Sequence, residues 1–78
     1  MQIFPVEFRS FEDVRDFVFL SMTQKFDISV SNGRQTVDAK SLMVMFSLDY
    51  SHPLEVRVDC SAAECSDFLE EAKRFRVS

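Results

Sequence analysis

Between Ile3 and Phe8 the apolar residues Phe4, Val6 and Phe8 occupy every second position. Strand side chains alternate faces, so the three share one side of an extended segment, the first expected strand. Pro5 within it has no amide hydrogen for a ladder, which puts the strand at a sheet edge or turns that nitrogen outward. From Phe11 the period changes. Phe11, Val14, Phe17, Val18 and Met22, with Ser21 among them, recur at three-and-four spacing and predict a helix with one apolar face. Ser10 is its expected N-cap, and Glu12 and Asp13 complement the positive end of the helix dipole.

Phe26, Ile28 and Val30 alternate up to Asn32-Gly33, and Gln35, Val37 and Ala39 alternate beyond it, the pattern of a hairpin around an Asn-Gly turn. Gly33, the sole glycine, stands where the turn requires a positive φ. Ser41 can cap a short helix running through Leu48. Leu42, Met43, Met45 and Phe46 are too many apolar side chains for one buried stripe, so some of them should face solvent.

Asp49-Tyr50-Ser51-His52-Pro53 has turn composition, and Leu54, Val56, Val58 and Cys60 then alternate with Glu55, Arg57 and Asp59 in a strand with one wet face. Ser61-Ala62-Ala63-Glu64 fits a capping box. Behind it Cys65, Phe68, Leu69, Ala72 and Phe75 form a stripe that carries the last helix to about Phe75. Glu70 and Arg74 stand one turn apart on its solvated face, an exposed pair worth about 0.3–0.5 kcal/mol. The order is strand, helix, strand, strand, helix, strand, helix. It predicts an α+β arrangement of two layers, an antiparallel sheet with helices on one face, and leaves the order of strands in the sheet open.

Length and charge narrow the function. A 78-residue chain holds one domain, residues 1–78, and buries only roughly 60% of its unfolded surface, leaving little core for a deep active-site cavity. Its apolar content of 46% and nine phenylalanines indicate a globular chain rather than a disordered one. There is no apolar run long enough for a membrane span and no basic leader at Met1-Gln2-Ile3-Phe4-Pro5, so a cytoplasmic protein is expected. Cys60 and Cys65 form no CxxC motif and are expected as reduced core thiols. A net charge of -4 without any Lys/Arg block excludes a nucleic-acid or anionic-membrane surface and favours a protein partner. No cofactor or metal site is expected. His52, the single histidine, lies in a turn with no acid or cysteine cluster around it and reads as a surface residue.

From Lys25 onward the chain resembles the histidine phosphocarrier (HPr) family. The likeness is carried by the Asn32-Gly33 hairpin, by Thr36-Val37-Asp38-Ala39-Lys40-Ser41-Leu42-Met43, and by Phe46-Ser47-Leu48 in the family's order. The first third matches in pattern only. The resemblance implies an open-faced sandwich of a four-stranded antiparallel sheet under three helices, in the order βαββαβα, with the first strand at an edge. It further implies a bacterial protein of the phosphoenolpyruvate-dependent sugar phosphotransferase system.

In that family a histidine at the N-terminus of the first helix, followed by an arginine and a proline, takes a phosphoryl group from enzyme I and passes it on. The corresponding stretch here is Ser10-Phe11-Glu12-Asp13-Val14-Arg15-Asp16, with neither histidine nor proline, and Glu12 falls at or next to the carrier position. The usual carrier activity is therefore not expected, nor is an enzyme. Glu12 either fills the anion site permanently by its charge or is an ordinary first-turn glutamate. Ser41 matches the serine that a dedicated HPr kinase phosphorylates in Gram-positive members, turning them into co-regulators of a transcriptional repressor. Capping alone also accounts for a serine there. Leu42, Met43 and Phe46 match the apolar residues with which the family docks its partners, and Val44 stands where the family commonly has glycine.

The leading expectation is a histidine-less HPr-like module that acts by binding, similar in that respect to the catabolite-repression HPr-like proteins. The alternatives are a phosphocarrier with an unusual acceptor, His52 or Glu12, and a diverged interaction or oligomerising domain without any phosphotransfer role.

Overall fold

The computed structural model describes residues 1–77. The chain passes through strand β1 (Gln2–Val6), helix α1 (Phe11–Met22), strands β2 (Ile28–Ser31) and β3 (Thr36–Asp38), helix α2 (Leu42–Ser47), strand β4 (Leu54–Val58) and helix α3 (Ser66–Ala72), which tightens into a 3₁₀ turn over Lys73–Phe75. This is the α+β order expected from the pattern.

The strands form one antiparallel sheet in the order β1-β4-β2-β3. Its register explains the alternation. Phe4 lies opposite Val56, Val56 opposite Val30, and Val30 opposite Val37, so one row of buried apolar side chains crosses all four strands. The next row along, on the other face, is Ile3, Arg57, Ser29 and Asp38, none of them buried. A slip of one residue in any strand would exchange the two sets, and burying each Val or Phe is worth about 1.5–3 kcal/mol, so the pattern fixes the register.

Pro5 sits on the edge strand as its missing amide requires. That edge is partly covered near its end. Val6 forms an isolated antiparallel bridge with Arg76, Glu7 N donates to the Phe75 carbonyl at 2.8 Å, and Val77 N donates to the Pro5 carbonyl at 3.1 Å. Gly33 has φ +92°, and the Asn32 side-chain oxygen accepts from the amides of Arg34 and Gln35 at 2.9 Å, so the hairpin turn is closed by the residues expected to close it.

Helix α1 lays Val14, Phe17, Val18 and Ser21 on the sheet, and the Ser21 hydroxyl donates to the Phe17 carbonyl at 2.8 Å. Phe11 and Met22, expected on the same face, are instead exposed. At about 100° per residue the four buried positions share an arc of about 100°, and Phe11 and Met22 fall just outside it. The core is built on phenylalanine. The Phe17 ring meets Phe8 at 5.3 Å, Phe75 at 5.4 Å and Phe68 at 6.0 Å between centroids, tying α1 to the end of the first strand segment and to α3.

Three further expectations change in detail. The Ser61/Glu64 capping box forms, with both reciprocal amide contacts at 3.3 Å. It closes a separate turn, however, and the regular helix starts only at Ser66, because Cys65 leaves helical geometry (φ -110°, ψ 19°). Cys65 is buried as expected, but β4 ends at Val58, so Cys60 lies in the bend beyond the strand, half-buried against the core. Glu70 does not pair with Arg74. It takes Lys73 at 2.8 Å, while Arg74 reaches Asp16 at 2.9 Å. The 3₁₀ turn accounts for the exchange, since three residues per turn aligns i with i+3. No helix among the described residues is long and apolar enough to cross a membrane.

Phe17→Ala should lower stability by about 3–5 kcal/mol, whereas Phe19→Ala, at an exposed position of the same helix, should stay within about 0.5 kcal/mol. Urea unfolding of the two variants checks the contrast.

Candidate functional site

Helix α2 has six residues, Leu-Met-Val-Met-Phe-Ser, and no charge. So short a helix sends only a narrow face inward. Met45 takes that place and is buried, and Leu42 is half-buried against the core. Met43 is 84% exposed and Phe46 38% exposed. Of the three expected docking residues, Met43 and Phe46 thus lie open to solvent and Leu42 mainly supports them. Val44, at the position where a branched side chain was expected on or near this surface, is 39% exposed.

The structure adds residues to this surface that the sequence pattern did not. Phe11, at the first turn of α1, packs edge-on against Phe46 with centroids 5.7 Å apart and against Tyr50 at 5.9 Å. The α1 N-terminus, the C-terminal half of α2 and the turn behind it therefore share one aromatic cluster. Phe19 and Met22 continue the exposed apolar row along α1. Phe11 and Met22 had counted toward a buried stripe, and only the position of the sheet under α1 shows that they face out.

Ser41 occupies the N-cap position of α2, where its carbonyl accepts from Met45 N at 2.9 Å. Its side chain makes no capping hydrogen bond. Asp38 organises the approach instead, its side chain accepting from Lys40 N at 2.9 Å and its carbonyl from Ser41 N at 3.1 Å. The Ser41 hydroxyl is thus not the cap that the serine alone suggested. It borders the exposed part of α2.

Glu12 stands in the first turn of α1, exposed and next to Phe11. Ser10 is the N-cap, its hydroxyl accepting from Asp13 N at 3.2 Å, and the Asp13 carboxylate accepts in turn from Arg9 N at 3.0 Å. A carboxylate already serves this helix start. Arg74 lies 3.9 Å from Asp13 and 2.9 Å from Asp16, which also bonds Arg15. Partial burial raises the Asp16 carboxyl, but the hydrogen bonds and charges of Arg15 and Arg74 outweigh it and hold its pKa below the ordinary 3.8.

His52 is exposed in its turn, as expected. It lies with Arg34 near Asp49, whose carboxyl is lowered first by the backbone amide and hydroxyl of Ser51 and then by the charges of His52 and Arg34. Among the described residues no group of three or more His, Cys, Asp or Glu is placed to hold a metal ion. Burial and the neighbouring Cys65 thiol push Cys60 up to about 12, so its thiol is protonated at neutral pH and is no nucleophile there. A hollow of about 480 Å³ opens on the outer sheet face beside Asp27, Asp38 and Asp59, and neither Glu12, Ser41, His52 nor the exposed residues of α2 line it. What the chain presents on its helical side is an exposed apolar surface.

A folded-state pKa below the unfolded value contributes stability above the unfolded pKa, and that contribution is lost as pH falls through the folded one. Replacing Arg74 by Met should therefore move the Asp16 carboxyl titration, followed by NMR, upward toward 3.8. The same substitution should make acid unfolding begin at a higher pH.

Neither protein-family models nor the sequences of characterised proteins match the chain. A solved structure does. The fold is similar to that of HPr-C-His from Thermoanaerobacter tengcongensis, with a TM-score of 0.72 at 20% identity over 92% of this chain and 90% of that one. The chain thus has the HPr-like fold, a four-stranded antiparallel sheet with three helices in the order βαββαβα.

Proposed function

We propose that the chain is a regulatory or protein-binding module of the phosphotransferase-system type that works through the α1–α2 face and does not carry phosphate on histidine. The observation that carries the reading is the exposed apolar surface of Met43, Phe46 and Phe11, bordered by a Ser41 hydroxyl that caps nothing. Exposed apolar groups of this size are costly to leave in water and are characteristic of docking sites. The only histidine lies in the turn after α2, away from any helix start, and α1 begins with Ser10, Phe11 and Glu12.

In this reading Met43 and Phe46 insert into a partner, with Leu42 holding α2 at the right height beneath them. Ser41 is the modification site. Adding a dianion beside an apolar docking surface would change which partner binds, by attracting an arginine-bearing surface and repelling an acidic one. The candidate partners are an HPr kinase, enzyme I and a transcriptional repressor, in the cytoplasm. Glu12, at or next to the position where the family's carrier histidine stands, supplies a fixed negative charge at the rim.

A bacterial HPr kinase with ATP should add one phosphoryl group to the protein, and Ser41→Ala should stay unmodified in the same mass spectrum. Met43→Asp should reduce the kinase's kcat/KM by about tenfold, the cost of placing a charge in an apolar contact. Absence of a mass gain on the unmodified chain would remove the regulatory reading. Incubation with enzyme I and phosphoenolpyruvate should leave no acid-labile phosphate, and its appearance would favour a carrier using His52 or Glu12.

A further inference from the structure

Helix α1 ends without a basic residue in its last turn. The C-terminal end of a helix carries partial negative charge and free carbonyls, which a cation stabilises. Here the cation comes from another part of the chain. Lys40, in the approach to α2, sends its ammonium to the Gln24 carbonyl just beyond α1, donating at 3.0 Å from a half-buried position. The bond joins the two helices of the proposed docking face near their ends, since Met22 is the last residue of α1 and Ser41 is the N-cap of α2.

Three observations make this bond displaceable. Its acceptor is a neutral carbonyl, whereas an ammonium bonds more strongly to an ionised acceptor. Lys40 makes no ion pair among the described residues, and the nearby Asp38 carboxylate accepts from the Lys40 backbone amide at 2.9 Å rather than from its ammonium. Lys40 is also the immediate neighbour of Ser41, while α2 itself supplies no charge that could compete for an anion there. Adjacent side chains of opposite sign do meet in this protein, Arg15 reaching Asp16 at 3.2 Å.

We infer that Lys40 is a latch between α1 and α2 which a phosphate on Ser41 opens, the ammonium leaving the Gln24 carbonyl for the phosphate and freeing the end of α1 beside Met22. The inference rests on Ser41 as the modification site. In the modifying step the γ-phosphoryl group of ATP passes to Ser41 Oγ, the hydroxyl proton leaves and ADP departs. Phosphoserine carries about -1.5 to -2 charge at neutral pH, so it outcompetes a carbonyl dipole for the lysine next to it. A charge added at the start of α2 is thereby carried to the end of α1, where Met22 is 56% exposed.

The test uses the full chain with phosphoserine placed at position 41 during synthesis, so that no kinase is needed. The Gln24 carbonyl carbon, followed by NMR, should shift on phosphorylation to where Lys40→Met alone puts it, and phosphoserine in the Lys40→Met chain should move it no further. The second ionisation of the phosphate, ordinarily at about pH 6, should fall at a lower pH in the chain that keeps Lys40 than in Lys40→Met, as read by phosphorus NMR. Circular dichroism checks the fold of the variant, and the Gln24 shift in the unsubstituted chain reads the latch without it. A Gln24 signal that does not move on phosphorylation overturns the inference, and so does a phosphate that titrates alike with and without the lysine. Because the phosphate is installed in synthesis, a missing kinase response counts against the modification alone and a fixed Gln24 signal against the latch alone.

Discussion

The packing of Phe17 against Phe8, Phe68 and Phe75 is the contact on which the rest of the molecule depends. A domain this small has room for one core, and here one aromatic ring reaches the continuation of β1, helix α3 and the 3₁₀ turn together. Edge-to-face aromatic pairs are worth about 0.5–1.5 kcal/mol beyond the area they bury, and they fix the angle between the groups they join. With α1 and α3 held in this way, the C-terminal segment falls beside β1, and the amides of Glu7 and Val77 find the carbonyls of Phe75 and Pro5.

The same constraint decides which apolar residues are left over. Once Phe17 and Val18 point into the sheet, the rotation of α1 is set, and Phe11, Phe19 and Met22 have no place in the core. Helix α2 is too short to bury more than Met45 fully. The exposed surface is therefore a direct consequence of the core, and its aromatic part is itself ordered by the contacts of Phe11 with Phe46 and Tyr50. An ordered apolar surface loses less side-chain freedom on docking, which favours its use in binding.

Electrostatics act at the start of α1. The Asp13 amide donates to the Ser10 hydroxyl while its carboxylate accepts from Arg9 N, and Arg74 from the C-terminal turn closes on Asp13 and Asp16. The start of α1 thus holds carboxylates and is bridged to the C-terminal turn. These exposed pairs contribute little stability singly.

By itself the sequence determined the elements, their order along the chain and which face of each strand is buried, because a period of two or of about 3.6 records which side chains must leave water. The Asn32-Gly33 turn, the edge position allowed by Pro5 and the excess of apolar residues on α2 were all legible in that way. Tertiary structure decided what periodicity does not contain. It put Phe11 and Met22 outside α1's buried arc, moved Arg74 from Glu70 to Asp16 by tightening the last turn, and ended β4 before Cys60. It also left the Ser41 hydroxyl without a cap to make and joined Phe11 to α2 across 35 positions of sequence separation. Each of these rests on the relative placement of two elements, which the spacing within either one cannot specify.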